Sequence, residues 1–187
     1  MTSPLARVIK SIDAANAQDP RQDEGQPEAL LYGQRMSEEL ARLFPDASEP
    51  LQIAARGQHV ERWKLARTEY PEGRTGYLAW RRAQADHHAE LVCGLMTAEG
   101  YGAEDVDAAG RMLRKQGIKR DADVQALEDV ICFVFLKWYF APFAEKHSPE
   151  KIESIVQKTA RKMSSEARAR VLVEFDLPAS LAAAFQE

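Results

Sequence analysis

Apolar residues recur along most of this chain at intervals of three and four, separated by charged and polar positions, and no stretch keeps a two-residue alternation. Side chains three and four apart share one face of a helix, so this pattern predicts an all-α fold without a sheet. Punctuation residues divide the pattern. Ser3-Pro4 starts a helix that runs to about Ala17, a serine serving as N-cap and a proline fitting the first turn. Residues 18–27 are polar and rich in breakers and read as a loop, followed by a helix from about Glu28 to Phe44. Ser48 and Pro50 open a third helix expected over 49–64, and Tyr70-Pro71-Glu72-Gly73 places a loop over 65–74.

A long helix is expected from Thr75 to Glu99, stopped by Gly100, and another over 104–116, stopped by Gly117. Asp121 caps a core helix over 122–146, Ser148-Pro149 opens the next, Ser164 or Ser165 caps another, and Pro178 begins a short C-terminal one. The sum is about nine helices in a single compact domain over residues 1–187, with no internal repeat. The most apolar run, Val130 to Ala144, is interrupted by Lys137 and Pro142 and is shorter than a membrane span requires, so it reads as buried core.

Composition narrows the function. The 187 residues are 45% hydrophobic and 29% charged with a net charge of −4, which suits a folded soluble domain and disfavours membranes and extended nucleic acid as partners. Cys93 and Cys132 are separated, both in apolar helical text; with no secretory pattern at the start, the cytoplasm is the expected location.

One stretch departs from the acidic balance. Residues 56–82 hold seven basic side chains against three acids, whereas residues 1–55 hold five against nine. Trp63, Tyr77 and Trp80 lie in that basic stretch, and three of the four histidines (His59, His87, His88) lie within 56–88. Arginine forks bind phosphate, sulfate or carboxylate, and aromatic rings pack against an organic group beside them. On the expected third helix, Arg56, His59 and Trp63 share a face; on the long helix, Tyr77, Arg81, Gln84 and His88 form a stripe that continues into Leu91 and Leu95. A face polar at one end and apolar at the other suits a pocket wall. His87 points about 100° away from His88 and is expected at the surface. His147 follows the core helix and is expected to meet its C-terminal end.

Farther on, Leu127-Glu128-Asp129-Val130 introduces two acids into an apolar helix. Such acids need an ion pair, hydrogen bonds or a metal. Two histidines and an acid could ligate one divalent ion (Zn, Mn or Fe) and activate water on a phosphoester.

At this point the chain resembles the HD superfamily of metal-dependent phosphohydrolases. Ile53-Ala54-Ala55-Arg56-Gly57-Gln58-His59 looks like its apolar helix ending in His-Asp, His88-Ala89-Glu90 like its later histidine, and Leu127-Glu128-Asp129 like its late aspartate. Gln58-His59 stands where His-Asp belongs, and Tyr32 or Gly33 where the first histidine belongs. The resemblance implies an HD-like helical architecture, with His59, His88 and Asp129 as the metal set and Glu128 beside them.

A closer likeness runs through Leu31-Tyr32-Gly33-Gln34-Arg35-Met36-Ser37, Ala55-Arg56-Gly57-Gln58-His59-Val60-Glu61-Arg62-Trp63, Tyr70-Pro71-Glu72-Gly73-Arg74-Thr75-Gly76-Tyr77-Leu78-Ala79-Trp80-Arg81 and Leu127-Glu128-Asp129-Val130. These strings are similar to the family catalogued as domain of unknown function forty-two-oh-two, which implies no particular reaction.

The function expected from these readings is hydrolysis of a nucleotide-like, phosphate-bearing small molecule. Arg56, Gln58, Arg62, Trp63, Arg74, Tyr77, Trp80, Arg81 and Gln84 would bind it, and His59, His88, Asp129 and Glu128 would carry the chemistry. The alternative is a non-catalytic binder of a nucleotide, a sulfated metabolite or an RNA terminus.

Overall fold

The computed structural model describes residues 2–186. The chain gathers into two compact units, residues 1–116 and 117–187.

In the first unit, α1 (Pro4–Asn16) is capped by Ser3, whose hydroxyl accepts from the Ala6 amide. The expected loop that follows contains a two-residue antiparallel hairpin, β1 (Gln22–Asp23) with β2 (Gln26–Pro27). Glu24 and Gly25 turn it with φ of 50° and 76°, the left-handed pair of a type I′ hairpin. So short a strand carries no alternation to read. Arg35, on α2 (Glu28–Leu43), is buried and pairs with Asp23 and Glu24, which ties the hairpin to that helix. Asp19 is buried and accepts from the Arg21 side chain and from the Ala29 amide at the start of α2.

The third helix, α3 (Glu49–Arg56), starts at Ser48 as expected but ends at Gly57 instead of residue 64. Beyond it the chain makes successive tight turns, Val60 to Gly57, Arg62 to His59 and Lys64 to Glu61, with Glu61 left-handed at φ 53°. The expected face of Arg56, His59 and Trp63 therefore does not exist, because the α-helix stops at Gly57 and only short 3-10 turns, Arg62–Lys64 and Arg67–Glu69, follow it. The long helix, α4 (Gly73–Ala98), matches its expected position; α5 (Ala103–Leu113) starts where expected but ends three residues early, Lys115 being left-handed, and the two pack on one another. Val8, Ile12, Met36, Ile53, Val92, Met96, Met112 and Leu113 bury their side chains almost completely and form this unit's core, following the three-and-four spacing of the sequence.

In the second unit Asp121 caps α6 (Ala122–Val134), accepting from the amides of Asp123 and Val124. The single helix expected over 122–146 is instead three pieces: α6, a π-helical stretch Phe135–Tyr139, and α7 (Phe140–Ala144). The widened turn lies among stacked aromatics, with Phe135 edge-on to Phe140 and Phe143. Ser148 caps α8 (Pro149–Lys162), Ser164 caps α9 (Ser165–Glu174), and Pro178 precedes α10 (Ala179–Ala182). Leu127, Val130, Phe133, Val156, Met163, Val171 and Phe185 form the core. The all-α expectation holds, apart from the hairpin. Among the described residues, no helix is long and apolar enough to cross a membrane.

Candidate functional site

Residues 57–72 form a strap held against the polar half of α4. Gln84 donates from its side-chain nitrogen to the carbonyls of Arg62 (2.9 Å) and Leu65 (3.0 Å), and Trp80 Nε1 donates to Leu65 O at 2.9 Å. Gly76 permits the closest contact, since a Cβ there would lie 1.8 Å from the Pro71 carbonyl oxygen. At the other end of the strap the Glu61 amide donates to Asn16 Oδ1, while the Glu61 carboxylate pairs with Lys64 and with His87 Nε2, the latter at 3.2 Å. His87 is thus half-buried and partnered, where the sequence reading expected it at the surface.

The strap brings His59 to α4. Its ring stacks on Tyr32 at 3.7 Å between centroids, 13° from parallel, and lies 6.3 Å from the ring of His88. His88 is 3% exposed. Burial and the positive charge of Arg62 hold its pKa down at about 3, and His59 is likewise held well below its ordinary value, first by desolvation and then by Arg62, His88, Lys115 and Arg81. Both imidazoles are therefore neutral at physiological pH.

Cations surround the pair. Arg62 stacks its guanidinium over the Trp80 ring at 4.8 Å and has no carboxylate partner among the described residues. Burial, and then the nearby Arg81, lower its pKa. Arg81 donates to the Tyr77 hydroxyl at 3.0 Å. Lys115, left-handed at φ 57° just after α5, adds positive charge to both histidines. The sequence reading missed Lys115 and the stacking role of Tyr32. A lysine before a helix-ending glycine carries no mark of a site, and only tertiary packing brings Tyr32 onto His59.

Among the described residues, four buried side-chain polar atoms of this unit have no hydrogen-bond partner: Asn16 Nδ2, Gln58 Oε1, Gln84 Oε1 and His88 Nε2. Buried polar atoms are ordinarily paired, because an unmade hydrogen bond forfeits solvation without return. Gln58 comes from the strap, Gln84 and His88 from α4, and Asn16 from the end of α1.

The remaining expected site residues are placed differently. Arg56 does not face this site as a free fork: it holds Asp13 at 2.6 and 2.7 Å and bonds Ser37, tying α1, α2 and α3 together. Trp63 is half-buried in the strap and Arg74 is exposed in the first turn of α4. Tyr77 is 42% exposed and packs beside Trp80. Glu128 and Asp129 belong to the second unit. There Asp129 accepts from the Ser164 amide (2.8 Å), the Ser164 hydroxyl (2.7 Å) and Gln125, and Glu128 lies 3.7 Å from Lys162 Nζ. Burial raises the Asp129 pKa against the opposing pull of those bonds. Among the described residues, no group of three or more His, Cys, Asp or Glu side chains is arranged to hold a metal. His147 bonds Phe143 O at 2.7 Å, as a residue closing a helix end should.

The model of a single family, described as Domain of unknown function (DUF4202), matches residues 6–184 and so spans both units; the chain belongs to that family. No curated protein and no solved structure matches the chain.

Proposed function

We propose that the first unit binds a small anionic molecule, with a phosphate or sulfate group held by Arg62, Arg81 and Lys115 beside neutral His59 and His88. The observation that carries this reading is Arg62, a desolvated guanidinium stacked on Trp80, without an acid to balance it. A partly buried arginine is stable when something negative completes it, and its planar fork suits tetrahedral oxyanions. The strap supports the same reading, because Gln84 and Trp80 hold the Arg62–Leu65 backbone in place before any ligand arrives.

The hydrolytic reading, with His59, His88 and Asp129 on a divalent metal, has less support. Asp129 and Glu128 have their own partners in the second unit, and the histidine pair sits among Arg62, Arg81 and Lys115. Two neutral imidazoles inside a positive field are a poor donor set for a cation, which ordinarily draws on carboxylates to offset its charge. These residues do not fit the metal.

Titration calorimetry with inorganic phosphate, pyrophosphate and sulfate tests the binding reading. Wild type is expected to bind at least one of them, and Arg62→Ala to weaken that affinity about tenfold or more, the size of one charge-assisted hydrogen bond. Equal affinity in wild type and Arg62→Ala, or no binding of any of the three by wild type, overturns the proposal.

A further inference from the structure

Gln84 and His88 stand one turn apart on α4, 2% and 3% exposed, each with one polar atom that meets no hydrogen-bond partner. Positions four apart on a helix lie on one side, one above the other. The orientation of the Gln84 amide is set, since its nitrogen donates to both Arg62 O and Leu65 O. Its Oε1 is therefore the end turned away, and it can only accept. The His88 ring offers Nε2, which as part of a neutral imidazole donates in one tautomer. One turn apart on the same side of α4, the two residues supply one acceptor and one donor, each without a partner.

Resting on the anion-binding reading of the same site, we infer that the ligand is a phosphorylated or sulfated alcohol whose hydroxyl sits between Gln84 Oε1 and His88 Nε2. A hydroxyl donates one hydrogen and accepts another, so one group satisfies both atoms. An ammonium group would enter the field of Arg62, Arg81 and Lys115 as a like charge. An apolar group would satisfy neither. Gln84 also binds the backbone of Arg62 itself, so the hydroxyl pair and the anion contact are parts of one framework. A site that reads a hydroxyl with buried partners discriminates strongly against the analogue lacking it, because the partners are then left unpaired.

Calorimetry with matched pairs tests this on the full chain: glycerol 3-phosphate against n-propyl phosphate, and ribose 5-phosphate against cyclopentylmethyl phosphate. At least one hydroxylated member is expected to bind about tenfold tighter than its partner, which is about 1.4 kcal/mol. His88→Leu is expected to erase that preference and to raise the Tm of the free protein by removing a buried unpaired nitrogen. If both pairs bind wild type equally while phosphate binding still depends on Arg62, the hydroxyl assignment is wrong and the anion site stands. If phosphate, sulfate and all four esters fail to bind wild type, both fall together.

Discussion

His59 and His88 are neutral inside the fold and become ordinary histidines when it opens, so acid works against folding through them. Their folded pKa values lie below the unfolded value of 6.5, with His88 at about 3. Above pH 6.5 neither state binds the proton and the histidines are neutral toward stability. As pH falls from 6.5 toward 3 the unfolded chain takes up a proton that folded His88 refuses, at about 1.4 kcal/mol per pH unit once well below 6.5, and His59 acts in the same direction. Urea unfolding at pH 7.5 and 5.0 should show lower stability at pH 5.0, and His88→Leu should shrink the difference. An unchanged difference in His88→Leu would mean that His88 does not contribute to the acid sensitivity. At this scale the sequence marked His59, His88, Arg62, Arg81 and Gln84 through composition and helical spacing. It could not show that Arg56 is occupied by Asp13, since that pairing joins residues 43 positions apart.

The elements divide into those read from the chain and those shaped by packing. Ser3, Ser48, Asp121, Ser148 and Ser164 each cap the helix expected of them, because a side-chain oxygen meeting its own helix's amides is a local event. Ser164 does more, since its amide and hydroxyl both reach buried Asp129. Ser164→Ala should therefore lower stability by about 1–3 kcal/mol in denaturant melts, beyond the loss of a cap alone. Ser165→Ala, one residue on, should be nearly silent. Arg56→Ala should likewise destabilise, by about 1–3 kcal/mol from the loss of a half-buried bidentate pair. Because that pair lies between helices, phosphate affinity should be unchanged; a marked loss would return Arg56 to the site. The first half of the strap, residues 57–64, is what the sequence reading took for helix, while the loop expected over 65–74 covers most of the rest. Its helical text continues past Gly57, yet Glu61 is left-handed and the Arg62 and Leu65 carbonyls are claimed by Gln84. Gly76→Ala should displace it, since the added methyl would meet the Pro71 carbonyl, and phosphate binding should fall with little change in helical circular dichroism.

On the scale of the whole molecule, one family spans two compact units of helices, and the polar site described here lies within the first. An anion site built from arginine, lysine and neutral histidine needs no metal, so phosphate affinity should be the same with EDTA as without; loss on chelation that zinc or manganese restores would favour the metal reading. The fold class, most helix starts, the family likeness and the basic stretch were determined by the sequence itself, because periodicity, caps and charge counts are local properties of the chain. The end of α3, the hairpin turn, the π-helical stretch, the assignment of Arg56 to Asp13, and the meeting of Tyr32, Arg62 and Lys115 around His59 and His88 were decided by tertiary structure. Each depends on which distant group satisfies a buried charge or backbone carbonyl, and no short window of sequence contains both partners.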